Sequence, residues 1–340
     1  MEQVLNYIKL LDKPGCQYKY DPSYDQTMRK QYRYIDSSRK KFAYAQDECG
    51  GIFDCFILYS IAMLGIADRN SIRLFLRNLK KCYPDLHIAD MDNEEGLRAR
   101  IRALLKYGYI FAISIAYQHG DENINVENRS TYYTIDKDAH DMMNRTLSKR
   151  VPYNKYLETM PVCRILGWAS VSYAGACICN HSNYKAYLDG FFRSKMLGQY
   201  YFPSEIKFFD GINLHYVGLI DAYLLQDKRT QSVEDFAEWQ ASKINAIKNY
   251  MAVRTTKGIT EFIICVQDSD DLLKMGRLMI RTQILLDYLP NIYFTGEGIL
   301  KSVSHMEEAF LQMIGPDIQN GEQEEPLFRF SLPKFLIKAT

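Results

Sequence analysis

The chain has 340 residues, 24% of them charged and 13% aromatic, with a formal net charge of +1. That length allows two domains, and the near-neutral balance excludes a polybasic, histone-like binder, so any hold on nucleic acid must come from local patches. No apolar run approaches the ~20 residues that span a bilayer, and Met1–Leu11 lacks the basic start and apolar core of an export signal. The 8 cysteines are scattered without a CxxC pair, so they read as reduced thiols of a cytoplasmic protein.

Residues 1–48 form a basic, tyrosine-rich arm in which Gln31–Ile35 alternates like a strand. Such an arm either packs on its own domain or clamps a nucleic acid. Residues 49–150 then read as one unit. Ile52–Leu64 is an apolar helix closed by Gly65. Asp68–Cys82 is a second helix, with Pro84 after it. Asp92–Tyr107 is a third, ended by Gly108. Two β-rich runs follow, Tyr109–Tyr117 and Thr131–Ile135. Helix, helix, helix, hairpin is the order of a winged helix-turn-helix.

Helical periodicity gives the second and third helices one buried and one basic face. In the third, Leu97, Ile101, Leu104 and Leu105 point inward, while Arg98, Arg102 and Lys106 form a stripe beside small Ala99 and Ala103. In the second, Ile72, Phe75, Leu76 and Leu79 are apolar, and Arg73, Arg77 and Lys81 make the stripe. In a helix-turn-helix the third helix enters the major groove, where Arg pairs with guanine and other cations fix register on phosphate. The same stripes also suit an ordinary solvated face. Asp92 and Glu95 fit a capping box, and acids at that helix start oppose phosphate. The hairpin tip, Gln118–Ser130, is acidic apart from Arg129, unlike a wing laid in a minor groove.

Residues 137–160 begin as a helix and turn polar at Lys149-Arg150-Val151-Pro152, the expected domain boundary. Residues 151–310 follow as helix (Asn183–Met196), strands (Gln199–Phe209 and Asn213–Leu225, split by Asp210-Gly211), helix (Val233–Ala252), strand (Glu261–Gln267), helix (Asp270–Tyr288) and strand (Asn291–Phe294). That alternation predicts a mixed sheet with helices on its faces. Residues 311–340 read as a tail, acidic and then Phe/Leu/Lys-rich, or as a docking strand. Cys177, Cys179 and His181 are close in sequence, whereas Cys–His nucleophilic pairs are usually distant, so they are assigned to core packing; His215 and Trp239 read as core or surface residues rather than functional ones. Phe294–Gly298 has no GK[ST] and reads as a strand-to-helix turn. The fold class is thus α+β or α/β: a winged helix-turn-helix followed by a mixed-sheet domain.

Two stretches of the second domain carry a family resemblance: Leu219-Ile220-Asp221-Ala222-Tyr223-Leu224, and Lys243-Ile244-Asn245-Ala246-Ile247-Lys248-Asn249-Tyr250. They resemble the Pro-Asp-Ala strand and the Lys-Ile…Tyr helix of the replication-relaxation family of plasmids and conjugative elements. Phe262–Val266 and Tyr293-Phe294-Thr295 look like its later strands. The resemblance implies a second domain similar to PD-(D/E)XK nucleases, which hold Mg²⁺ with an Asp and a Glu and place a Lys two residues on. It also implies a DNA-binding accessory role in replication, mobilisation or transcription control of a mobile element. The chain departs from the pattern: Ile220 replaces the Pro, and Gln226-Asp227-Lys228 puts an amide where the second acid belongs. Two readings remain open. One is a nuclease-like platform without metal or catalytic residues. The other is an active Mg²⁺-dependent nuclease built from Glu205, Asp221, Asp227 and Lys228. For the protein as a whole, a protein-interaction module without DNA affinity is a further alternative. The partners expected are double-stranded DNA and other replication or transfer proteins, with a homodimer allowed and no membrane.

Overall fold

A computed structural model describes residues 16–20, 51–85, 94–106, 108–119, 129–137, 139–141, 162–189, 204–222, 233–267, 269–283, 286–319 and 323–336. The chain divides into two compact units, Pro14–Ile165 and a second one holding Leu166–Thr340 with Met1–Lys13. The architecture is mixed α and β, with a three-stranded sheet in the first unit and a seven-stranded sheet in the second.

The first unit has β1 (Cys16–Tyr20), α1 (Gly51–Leu64), α2 (Arg69–Cys82), α3 (Glu94–Lys106), β2 (Ile110–His119) and β3 (Arg129–Ile135). Both expected glycine stops hold a left-handed turn, Gly65 at φ 77° and Gly108 at φ 71°, where a Cβ would be strained. Asp68 caps α2 by accepting from the Ser71 N–H at 2.7 Å, a contact worth about 1 kcal/mol. The three helices bury Ile57, Leu58, Ile61, Ile72, Phe75, Leu76, Leu97, Ile101 and Leu104. β2 and β3 pair antiparallel, and β1 adds to the outer edge of β2, with Tyr18 opposite Tyr117. Ala67, between α1 and α2, bridges back to Tyr133 of β3. Part of the N-terminal arm is therefore a strand of this sheet. The expected Gln31–Ile35 strand, Asp92 of the capping box and most of the hairpin tip lie outside the described residues, as does the 149–152 boundary.

The second unit begins with α4 (Val162–His181), followed by β4 (Ala186–Asp189), β5 (Ser204–Phe209), β6 (Leu214–Asp221), α5 (Val233–Thr255), β7 (Ile259–Cys265), α6 (Ser269–Thr282), β8 (Ile292–Thr295), α7 (Glu297–Ser302), β9 (Leu311–Gln319) and β10 (Gln323–Phe330). The sheet runs β10-β9-β8-β7-β6-β5-β4. β4, β5 and β6 form an antiparallel meander, and β6, β7 and β8 are parallel.

Side chains alternate across a strand, so register fixes which residues share a face. Glu205 pairs with Gly218, and Gly218 with Phe262. Tyr250 of α5 packs here, so α5 covers this face. Leu188 pairs with Ile206 on the other face, and there Gly175 of α4 approaches Leu188. Right-handed crossovers from β6 to β7 and from β7 to β8 put α6 on the side of α5, where Gly276 meets Pro326 and Phe328 of β10.

Two expectations are corrected. Asn183–Met196 was expected as a helix, yet Ala186–Asp189 is the edge strand β4, its alternate residues Ala186 and Leu188 buried. The stretch from 311 onward is expected as a tail or a docking strand, and it is not a tail: β9 and β10 extend the sheet, and Phe310, Leu311 and Met313 are core residues.

Candidate nucleic-acid interface and carboxylate sites

The buried stripe of α3 fixes what its other faces present. Leu97, Ile101 and Leu104 are 3%, 1% and 0% exposed, so Arg98 and Arg102 turn outward and are exposed. Neither arginine has an ion pair among the described residues. Lys106 ends the helix, and its side chain lies outside the described residues. On α2 the second stripe is more engaged: Arg73, Arg77 and Lys81 are half-buried, and Arg73 Nη2 donates to Asn70 Oδ1 at 3.3 Å.

Arg100, between the two exposed arginines, has a different task. It donates from Nε to Asp54 Oδ1 at 2.8 Å and pairs with Oδ2 through Nη2. Asp54 is 1% exposed. The acid that interrupts the apolar α1 is thus the buried partner of α3. A lone Asp in an otherwise apolar helix was the available signal, and only the fold named its partner.

The second unit has two carboxylate centres. Glu205 on β5 is fully buried. Arg254 of α5 donates from Nε to Oε2 at 2.7 Å and from Nη2 to Oε1 at 3.0 Å. Tyr250 donates its hydroxyl to Oε2 at 3.0 Å, and Lys207 Nζ lies 3.0 Å from Oε1. The guanidinium of Arg254 also sits 4.5 Å from the centre of the Tyr216 ring. Burial first, and then the neighbouring Glu205 charge, pushes the Tyr250 phenol well above its ordinary range.

Asp221 ends β6 on the opposite face. Lys243 of α5 donates to its carboxylate Oδ1 at 2.7 Å and to its carbonyl at 2.6 Å. A Cβ on Gly167 of α4 would lie 2.7 Å from Asp221 Oδ1, so this glycine makes the space for that carboxyl group. Cys265 lies beside Asp221 in register on β7. Burial, then the charges of Asp221 and Glu297, drives its thiol far above the usual range.

The Mg²⁺ set of the alternative, nuclease reading is not assembled by this geometry. Glu205 pairs with Gly218, and Asp221 lies three residues further along β6, so the two carboxylates face opposite sides of the sheet. Their oxygens are turned toward Arg254, Tyr250 and Lys207 in one case and Lys243 in the other. A divalent cation needs anionic oxygens that are not already neutralised, so Glu205 and Asp221 do not fit one. Asp227 and Lys228 lie outside the described residues. Among the described residues no group of three His, Cys, Asp or Glu side chains could hold a metal ion.

Two signals went unread in the sequence. Glu205-Ile206-Lys207 is itself an acid-x-Lys triplet, and strand alternation puts its ends on one face. Lys243, Tyr250 and Arg254 recur at seven and four residues, the spacing of one helix face. All three hold carboxylates. The remaining assignments concern packing. Cys177 and Cys179 are buried in α4, burial pushing the Cys177 thiol up to about 12. His181 is exposed at the end of α4. His215 is buried against Phe208, ring centres 4.4 Å apart, with Nε2 at 2.6 Å from Asp210. The Trp239 side chain lies outside the described residues.

No helix among the described residues is long and apolar enough to cross a membrane. Compared with known proteins, the chain matches no family model, no curated relative and no solved structure.

Proposed function

We propose that the protein binds double-stranded DNA through its first unit, as an accessory factor in replication, mobilisation or transcription control of a mobile element. The first unit is read as a winged helix-turn-helix, with α3 as the recognition helix and Arg98, Arg102 and Lys106 on the DNA. Arg73, Arg77 and Lys81 of α2 come next. The mobile-element role follows from the resemblance of the Asp221 strand and the Lys243–Tyr250 helix to the replication-relaxation family.

The observation that carries this reading is the outward exposure of Arg98 and Arg102, which no carboxylate of the described chain neutralises. The Ala67–Tyr133 bridge supports it, because it ties the segment between the first two helices to the hairpin. The second unit is read as a nuclease-like platform that works without a metal.

The test is a duplex-binding titration at several salt concentrations. A groove-bound protein loses affinity linearly on a log–log plot, with a slope of about −0.9 per neutralised phosphate. Arg98→Ala with Arg102→Ala should flatten that slope by roughly two contacts. An unchanged slope removes α3 from the interface. Absence of duplex affinity at low salt leaves a protein-interaction module, and duplex cleavage abolished by EDTA and by Asp221→Ala leaves a nuclease.

A further inference from the structure

Two exposed aromatic rings of the second unit stand together at the β4 edge of its sheet, while Phe330 lies on β10 at the other edge. Tyr187 on β4 is 46% exposed and Phe209 on β5 is 59% exposed. Both lie on the face that buries Glu205 under α5, yet remain exposed beyond it, while the opposite face of these strands puts Ala186, Leu188, Ile206 and Phe208 in the core. Tyr187 pairs with Lys207, and Phe209 lies two residues on from Lys207, so the two rings are diagonal neighbours on one face. Diagonal neighbours on paired strands stand about 7–8 Å apart.

Each ring has a lysine beside it. Lys207 lies directly across from Tyr187. Lys185 is exposed and precedes Ala186, which pairs with Phe208, so Lys185 comes beside Phe209. Lys257, also exposed, adjoins Gly258, whose Cβ would run into the Leu214 carbonyl next to Phe209. Leu214 is the register partner of Phe209. Lys207 shares Glu205 with Arg254, so that cluster holds two cations and one anion and remains positive. Among the described side chains, the nearby Asp210 is committed to its own turn, accepting from the N–H groups of Ile212 and Asn213.

We infer that the Tyr187–Phe209 face of the β4–β5 strand pair, with Lys185, Lys207 and Lys257, is a platform for single-stranded nucleic acid. Unpaired bases expose both π-faces and can stack on the two rings, while the lysines meet the phosphates between them. A duplex keeps its bases stacked inside and offers these rings nothing. A second copy of the chain would bring the same positive face against itself, and like charges repel. An anionic strand supplies the complementary charge and the flat partners together. The inference does not rest on the duplex reading, which concerns Arg98 and Arg102.

The experiment uses the full chain and a fluorescein-labelled oligothymidine, followed by anisotropy at low and moderate salt. Wild type should bind it. Replacing both rings, Tyr187→Leu with Phe209→Leu, keeps the apolar surface but removes the π-faces, and should weaken binding by at least about tenfold. Phe209→Trp should retain it. Lys185→Ala with Lys257→Ala should reduce the salt slope. Arg98→Ala with Arg102→Ala should leave oligothymidine binding unchanged, so a failure of the duplex reading is told apart from a failure of this one. Because both rings are exposed, the melting temperature of the leucine variant should stay at the wild-type value. The inference is overturned if wild type ignores oligothymidine at low salt, or if the leucine variant binds it equally well. Binding to phosphatidylglycerol vesicles instead of the oligonucleotide also overturns it and makes the face a lipid contact.

Discussion

Arg254 closes a two-point fork on Glu205, Nε to Oε2 at 2.7 Å and Nη2 to Oε1 at 3.0 Å, inside the seven-stranded unit. A bidentate guanidinium–carboxylate pair is geometrically matched, and burial makes it unforgiving. Removing one partner strands the other charge, so Glu205→Ala should destabilise the protein by about 3–5 kcal/mol. Replacing the pair together, Glu205→Leu with Arg254→Met, should recover most of that loss. Denaturant unfolding of the wild type and the two variants measures it. If the single and double variants are equally destabilised, the fork is not a coupled unit.

Asp54 and Arg100 play the same part in the first unit, joining α1 to α3. Arg100 is partly exposed at 28% of its side chain, so part of its charge stays in water and the loss is smaller. Asp54→Ala should lower the melting temperature and weaken duplex affinity with it, because α3 loses the contact that sets its rotation. Arg98→Ala should weaken duplex affinity while leaving the melting temperature alone. Thermal melts alongside duplex titrations separate the two effects.

The β5–β6 turn should carry a local acid sensitivity. Backbone hydrogen bonds from Asn213 first, then the His215 side chain and the Ile212 N–H, lower the Asp210 carboxyl from 3.8 to about 2. A depressed carboxylate stabilises the fold above its unfolded value and loses that contribution as pH falls through its folded value. The contribution is therefore complete above about pH 4 and drains away toward about pH 2. The melting temperature of Asp210→Ala should lie below wild type near neutrality and converge with it at the acid end. A gap that persists unchanged at about pH 2 would contradict the assignment.

Two glycines of the second unit are there for space. A Cβ on Gly218 would lie 2.5 Å from Phe262 and 2.7 Å from Tyr250. Both rings are fully buried and have nowhere to retreat. Gly218→Ala should destabilise by about 1–3 kcal/mol through overpacking. Gly167→Ala should displace the Asp221 carboxyl from Lys243 and act in the same direction. Gly298→Ala, where a Cβ would meet nothing and the residue lies in α7, is the control and should not lower the unfolding midpoint.

Local pattern carried the sequence reading far. The helix ends at Gly65 and Gly108, the inward set Leu97, Ile101 and Leu104, and the hairpin at Asp210-Gly211 all follow from spacing and turn chemistry, which neighbours along the chain decide. β4 was misread because Ala186–Asp189 is too short for its alternation to stand out. Whether the last stretch is a tail or a docking strand stays open in the sequence, because the place of the β9–β10 pair depends on the edge of β8, a partner that no nearby residue announces.

By itself the sequence determined the alternation of helices and strands and the turning of Arg98 and Arg102 away from the apolar stripe, because helical and strand periods are written into adjacent residues. It could not determine which charges neutralise one another. Glu205 meets Arg254 and Asp54 meets Arg100 across separations of 49 and 46 residues, and Asp221 faces away from Glu205 because it lies three residues, an odd number, beyond the partner of Glu205 on β6. Those relations exist only once strands are paired and helices laid on the sheet, since electrostatic contact depends on distance in space and not on position along the chain.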